Sequence, residues 1–309
     1  MWRRGGRRSR LAPRARQGPK ARLDLGAYFH VIVGAMKNPF LRRLPLLGML
    51  FAILAAVTFS LTGYGEKDSA TAASSGVLDG RAIVVGLDDS FPPMGFRDEK
   101  NNIVGFDIDM AREAFKRLGA ANVEFKPIDW NAKEAELNSK RVDALWNGLT
   151  ITEDRKKQIA FTSPYMENHQ IIIVPAGSPI TGKAGLAGKV VGVQDGSSAV
   201  DAVEKEAAVR KTFKELKTFG DNVVALMDLS AGRLDAVVVD EVVGRYYTAK
   251  KPGEYRILQE NFGAEQYGVG VRKDDTALLG ALQGALDAMK RDGASARIST
   301  QWFGANVVE

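Results

Sequence analysis

From residue 82 onward, short apolar runs rich in β-branched residues alternate with stretches whose apolar positions recur every three or four residues. The first kind reads as buried strand and the second as amphipathic helix. Residues 82–87 form such a strand and run into Asp88-Asp89-Ser90-Phe91-Pro92-Pro93, where two prolines stop any regular element. Ile108, Ala111, Ala114, Phe115 and Leu118 share one helical face, closed by Gly119. A second strand is expected at 123–128, a helix from Asp129-Trp130 to Lys140, and a third strand at 142–146. Residues 161–165 read as a loop, and 170–175 as a strand leading out of a first lobe. The strand–helix series then restarts, with strands at 189–193 and 234–239 and helices from Ala199, over 221–231 and over 241–250. A strand at 265–271 is expected to return to the first lobe. Leu278, Leu282, Leu286 and Met289 mark a long helix, and Trp302-Phe303 closes the chain.

The polar residues at the ends of these strands carry the candidate chemistry. In open α/β sheets the carboxyl ends of the strands are where ligands bind. The strand at 142–146 is followed by Gly148-Leu149-Thr150-Ile151-Thr152-Glu153-Asp154-Arg155. Thr152 is placed to cap a helix that carries Arg155 in its first turn. An arginine fork beside free backbone N–H groups suits a carboxylate, and a plain capped junction fits the same residues. Asp88 and Phe91 offer a carboxylate and an aromatic at another strand end. Ser197 or Ser198 lies at a helix N-terminus, as an anion site or as simple capping. Asp240 either caps the helix after it or holds an ammonium. Trp130 is either a pocket wall or packing.

Composition removes other chemistries. There is no cysteine, and His30 and His169 are the only histidines, far apart in sequence. No Walker loop, HExxH, GxSxG or dinucleotide fingerprint occurs. No cofactor, metal or catalytic residue is expected. The net charge of +6 is uneven: residues 1–43 carry 12 Lys and Arg against Asp24 alone, about +11, which leaves the remainder near −5. An acidic body argues against a nucleic-acid surface. Residues 44–65 are uncharged and strongly apolar behind Lys37, Arg42 and Arg43, the layout of a secretory signal or an anchor. Tyr64 stands where a lipoprotein cysteine would be, so thioether lipidation is not expected. Residues 66–80 are small and polar and read as a flexible linker.

The ordered set Asp88…Phe91-Pro92-Pro93, Gly105-Phe106-Asp107-Ile108-Asp109, Gly148-Leu149-Thr150-Ile151-Thr152…Arg155, Phe161-Thr162…Tyr165, Gly196-Ser197-Ser198, Asp235-Ala236-Val237…Asp240, Gln266-Tyr267-Gly268 and Trp302-Phe303-Gly304 resembles the amino-acid-binding proteins of bacterial ABC importers, solute-binding family 3. The resemblance runs from about Gly80 to Gly304. It implies an α/β, two-lobed periplasmic-binding-protein-like fold of type II. Lobe 1 would take 81–174 with 265–309, and lobe 2 would take 175–264. It implies that Arg155 grips a ligand α-carboxylate with backbone N–H groups at Thr150 and Ser198. Asp240 would grip the α-ammonium, with the Gly148 carbonyl and Thr150 hydroxyl nearby. Phe91 and Trp130 would enclose the ligand side chain, with Asp88 near its tip and Gln194 adding a polar group. The expected ligand is a polar amino acid: cystine, glutamine or a basic one. Expected partners are ABC permease subunits and, if the apolar segment is uncleaved, the membrane. The protein is expected to be extracytoplasmic, monomeric and not an enzyme. A ligand sensor, or a relative of cyclohexadienyl dehydratase on the same fold, is the alternative.

Overall fold

The computed structural model describes residues 78–308. The basic extension, the apolar segment at 44–65 and most of the linker, with the signal or anchor reading attached to them, lie outside the described residues. Among the described residues no helix is long and apolar enough to cross a membrane.

Two five-stranded sheets carry the fold. The first is ordered Asn122–Pro127, Ala82–Leu87, Ala144–Leu145, Gly270–Val271, Ala160–Phe161. Its first three strands run parallel, and Gly270–Val271 runs antiparallel to both its neighbours. Parallel neighbours require crossovers, and helices Phe106–Arg117 and Lys133–Asn138 supply them. Ile83, Val85 and Leu87 are fully buried, as a central strand covered on both faces requires. Phe106–Arg117 starts from Gly105 at φ +146°, where a Cβ would lie 2.1 Å from the Met94 carbonyl oxygen. Only glycine fits both that dihedral and that space.

The second sheet is ordered Glu215–Phe219, Val190–Gln194, Ala236–Asp240, Met166–Pro175, Tyr255–Tyr267. The first three strands are again parallel, and the last two join antiparallel. Met166–Pro175 and Tyr255–Tyr267 also link the sheets. They pair at Met166 and Tyr267, and Tyr267 bridges Thr150 beside the first sheet.

Some elements differ from the sequence reading. Met166–Pro175 starts four residues earlier than expected, because Glu167, Asn168 and His169 break the apolar run although Asn168 is buried inside the sheet. Tyr255–Tyr267 extends far back from the expected start at 265, through Arg256, Gln259, Glu260 and Asn261. As an edge strand it buries only some of its positions and carries no apolar run. The expected loop at 161–165 contributes Phe161 to a short strand. Glu215–Phe219, the other edge, was not expected at all.

Candidate functional site

The carboxyl ends of strands from both sheets meet. Asp88 follows Ala82–Leu87, Gln194 ends Val190–Gln194 and Asp240 ends Ala236–Asp240. Gln194 Nε2 donates to Asp88 Oδ2 at 2.6 Å, Ser198 Oγ lies 3.0 Å from Thr150 Oγ1, and Arg155 Nη2 donates to the Gly196 carbonyl at 3.0 Å. Asp88, Phe91, Trp130, Gly148, Thr150, Arg155, Gln194, Ser197, Ser198 and Asp240 are all buried.

Thr152 caps helix Glu153–Gln158 as expected, accepting from Arg155 N at 3.2 Å. The cap fixes the first helical turn, and the Arg155 side chain folds back over the preceding loop. Its Nη1 donates to the Thr150 carbonyl at 2.8 Å, while Glu134 Oε1 lies 3.7 Å from its Nε. Burial lowers the Arg155 pKa, and the guanidinium still stays charged. Lys133 lies beside it, 3% exposed, with Nζ donating to the Gly196 carbonyl at 2.8 Å. Burial, then Arg155, pushes the Lys133 pKa down to about 8. Glu134 Oε1 also lies 3.3 Å from Lys133 Nζ, so the two cations share one carboxylate and this side keeps a net positive charge.

The opposite side concentrates negative charge. Asp240 precedes helix Glu241–Lys250, but its carboxylate makes no capping bond. Instead Oδ1 accepts from Gln170 Nε2 at 2.9 Å, and Oδ2 accepts from Asn168 Nδ2 at 2.9 Å and Tyr267 OH at 2.6 Å. Burial, then the neighbouring Glu265 carboxylate, raises its pKa. Such a group is ready for an opposite charge.

Asp88 forms a third polar point. Burial raises its pKa to about 6, with bonds from Gln194 and Ser90 N opposing that rise. Gln194 is itself oriented by Asn222 Nδ2, which donates to its Oε1 at 2.9 Å. Ser197 turns its hydroxyl back to the Gln194 carbonyl at 2.7 Å. Phe91 packs in the main core against the Gly148 turn, and Trp130 belongs to a separate cluster with Leu137 and Leu145.

The Gly148 turn is held by a residue whose role the sequence did not announce. Asp107, fully buried in Phe106–Arg117, accepts from Gly148 N at 2.7 Å and from Tyr165 OH at 2.9 Å on each oxygen. Gly148 has φ +58°, and a Cβ there would lie 2.7 Å from Phe91 Cε1. Gly148→Ala is therefore expected to cost about 1–3 kcal/mol in stability, read as a lower denaturation midpoint with an unchanged slope. A variant as stable as the parent would show that Phe91 yields freely. Asn168, Gln170 and Glu265 also went unread; the signal was the Asn168 and Gln170 alternation, polar at i and i+2 just before Ile171-Ile172-Ile173.

Residues 83–305 match the model of the bacterial extracellular solute-binding proteins, family 3. This chain belongs to that family. The family 3 protein is 30% identical over 278 residues to the L-cystine-binding protein of Escherichia coli (strain K12), covering 89% of this chain and 100% of that one. Its fold superposes with TM-score 0.71 on an ABC uptake transporter substrate binding protein from Streptococcus pneumoniae with bound histidine, at 34% identity, over 74% of this chain and 94% of that one. An ancestral arginine-binding protein bound to arginine matches the family 3 protein with TM-score 0.68 at 41% identity, over 72% of this chain and 98% of that one. The architecture is thus that of a type II periplasmic binding protein, and the relatives are solute-binding proteins rather than enzymes.

Proposed function

We propose that the protein captures an amino acid whose side chain ends in hydrogen-bond donors, a basic one first, and delivers it to the permease of an ABC importer outside the cytoplasm. The observation that carries this reading is the separation of charge across the site. Arg155 and Lys133 lie on one side, Asp240 and Glu265 on the other, with Thr150 and Ser198 between them. A zwitterion bridging the two sides contacts both lobes and so favours the closed arrangement. The lobes, 81–174 with 265–309 and 175–264, would move about Met166–Pro175 and Tyr255–Tyr267, and the protein would act as a monomer. Relatives that bind arginine, histidine and cystine support an amino-acid ligand. Asp88 supports the basic side chain, since a cation or donor there compensates a buried carboxylate.

A thermal-shift panel of the common amino acids and cystine on the purified protein tests the reading. A ligand at about 1,000 times its Kd adds about 4 kcal/mol, which raises the melting temperature by roughly 8–16 °C at 2–4 °C per kcal/mol. No shift with any of them, before or after refolding from denaturant, would remove the amino-acid reading. The titration of Asp88 adds a pH test. A cationic side chain binds the charged carboxylate, so affinity falls as pH drops below about 6. The Asp88 titration alone is expected to weaken L-arginine binding, measured calorimetrically, about tenfold between pH 7.5 and pH 5. Asp88→Asn is expected to remove the part of that dependence set by Asp88 and to leave the part set by Asp240, whose pKa burial also raises; a pH profile unchanged in the variant would place the side-chain tip elsewhere.

A further inference from the structure

Glu265 stands in Tyr255–Tyr267, half-buried, two residues before Tyr267. Its Oε2 lies within hydrogen-bond distance of four donors: Thr150 Oγ1 at 2.9 Å, Gln170 Nε2 at 3.0 Å, Asn168 Nδ2 at 3.3 Å and Ser198 Oγ at 3.0 Å, whose single proton goes either here or to Thr150 Oγ1. The two amides among these donors also donate to Asp240. Asp240 and Glu265 are therefore held side by side by a shared pair of donors. On the same residue, Gln170 Oε1 is buried with no hydrogen-bond partner, and the residue is 0% exposed. That carboxamide spends its N–H groups on both carboxylates and keeps its oxygen as an unused acceptor beside them. Two carboxylates and an idle acceptor together call for a group that carries several N–H donors and positive charge. Arg155 directs one N–H of each terminal nitrogen to the Thr150 and Gly196 carbonyls.

We propose that Glu265 is the second carboxylate of the seat for the ligand's ammonium, so that this group is held between Asp240 and Glu265 with Gln170 Oε1 as a further acceptor. The inference rests on the amino-acid reading above and sharpens it. A primary ammonium has three N–H bonds in a tetrahedral fan, which three acceptors from different elements can meet. Specificity is a difference of affinities. A ligand without the amine leaves two carboxylates facing each other uncompensated, and so is rejected more strongly than a single carboxylate would reject it. Glu265 thus makes the α-amine, rather than the α-carboxylate, the more stringently read end of the ligand.

The test compares L-arginine with 5-guanidinopentanoate, the same molecule lacking the α-amine, on wild type, Glu265→Gln and Asp240→Asn by calorimetry. L-histidine with 3-(imidazol-4-yl)propionate serves as a second pair. Wild type is expected to prefer the amine-bearing partner strongly. In Glu265→Gln, an isosteric change, that preference is expected to narrow by about tenfold or more, as in Asp240→Asn, while the ligand-free melting temperature stays close to wild type. Equal weakening of both members of a pair in Glu265→Gln would make the residue purely structural and overturn the proposal. Wild-type affinity in Glu265→Gln would overturn it as well, leaving the amino-acid reading standing. Failure of wild type to bind either amino acid would instead overturn that reading, and this inference with it.

Discussion

Arg155→Ala is expected to abolish measurable amino-acid binding while leaving the secondary structure in place. The residue is 6% exposed, and its side chain reaches across the site to the Gly196 carbonyl beside the second sheet. Its fork donates to a carbonyl from each lobe, Thr150 in one and Gly196 in the other. Removing one partner of a buried, hydrogen-bonded charge pair costs about 3–5 kcal/mol, or roughly 150- to 5,000-fold in affinity at about 1.4 kcal/mol per tenfold. A site of about 1 μM would fall to roughly 0.15–5 mM. The cost has two sources, because the variant loses both the carboxylate partner and a contact that draws the lobes together. Arg155→Lys separates them: an ammonium keeps the charge but not the two parallel bonds, so it is expected to recover only part of the loss. Calorimetric titration of both variants decides the matter. If Arg155→Ala bound its amino acid as wild type does, the carboxylate would have to be held elsewhere.

The largest effect on stability is expected at Asp107, which touches no ligand in this reading. Asp107→Ala strands the Gly148 N–H and the Tyr165 hydroxyl without an acceptor in a fully buried place. Each such group costs about 1–3 kcal/mol, so a fall of roughly 5–20 °C in melting temperature is expected at 2–4 °C per kcal/mol. Asp107→Asn keeps an acceptor and adds a pH signature. Burial raises the folded-state pKa of Asp107 to about 7, from 3.8 in the unfolded chain. The folded state therefore holds a proton that the unfolded state has released between those values. By linkage the group's contribution is fullest below about pH 4 and is lost as pH rises through about 7. Wild type is thus expected to lose stability relative to Asp107→Asn between pH 5 and pH 8. Denaturant midpoints at the two pH values give the comparison. A constant difference would mean that the bonds from Gly148 and Tyr165 keep Asp107 ionised throughout.

The strand ends that face the site were legible because each joins an apolar run to a polar turn. Leu87 to Asp88, Val193 to Gln194 and Val239 to Asp240 are abrupt changes that a buried parallel strand produces at its carboxyl end. Thr152 and Arg155 were legible for a similar reason: capping is a local interaction, and its residues are adjacent in sequence. Glu265 was not legible, since it sits in an edge strand whose polar residues resemble any solvated surface. What distinguishes it from Glu260 is the arrival of Thr150, Ser198, Gln170 and Asn168, from places 67 to 115 residues away. Asp107 was hidden in the opposite way. It lies in the first turn of a helix, where an acidic residue is ordinary, and only its complete burial shows that it serves the Gly148 turn.

The Gly196 carbonyl accepts from both Lys133 Nζ and Arg155 Nη2. Both donors come from the first lobe, and the acceptor is backbone in the second. Two charge-assisted bonds on one oxygen form a latch built from the chain's own groups. How long the cleft stays shut is then partly a property of the chain, and chemically different passengers would share much of one dwell time. Affinity and residence would diverge in such a receptor. A weakly held amino acid could still ride long enough to reach the membrane, and the permease, by prising that oxygen away, would set the moment of release.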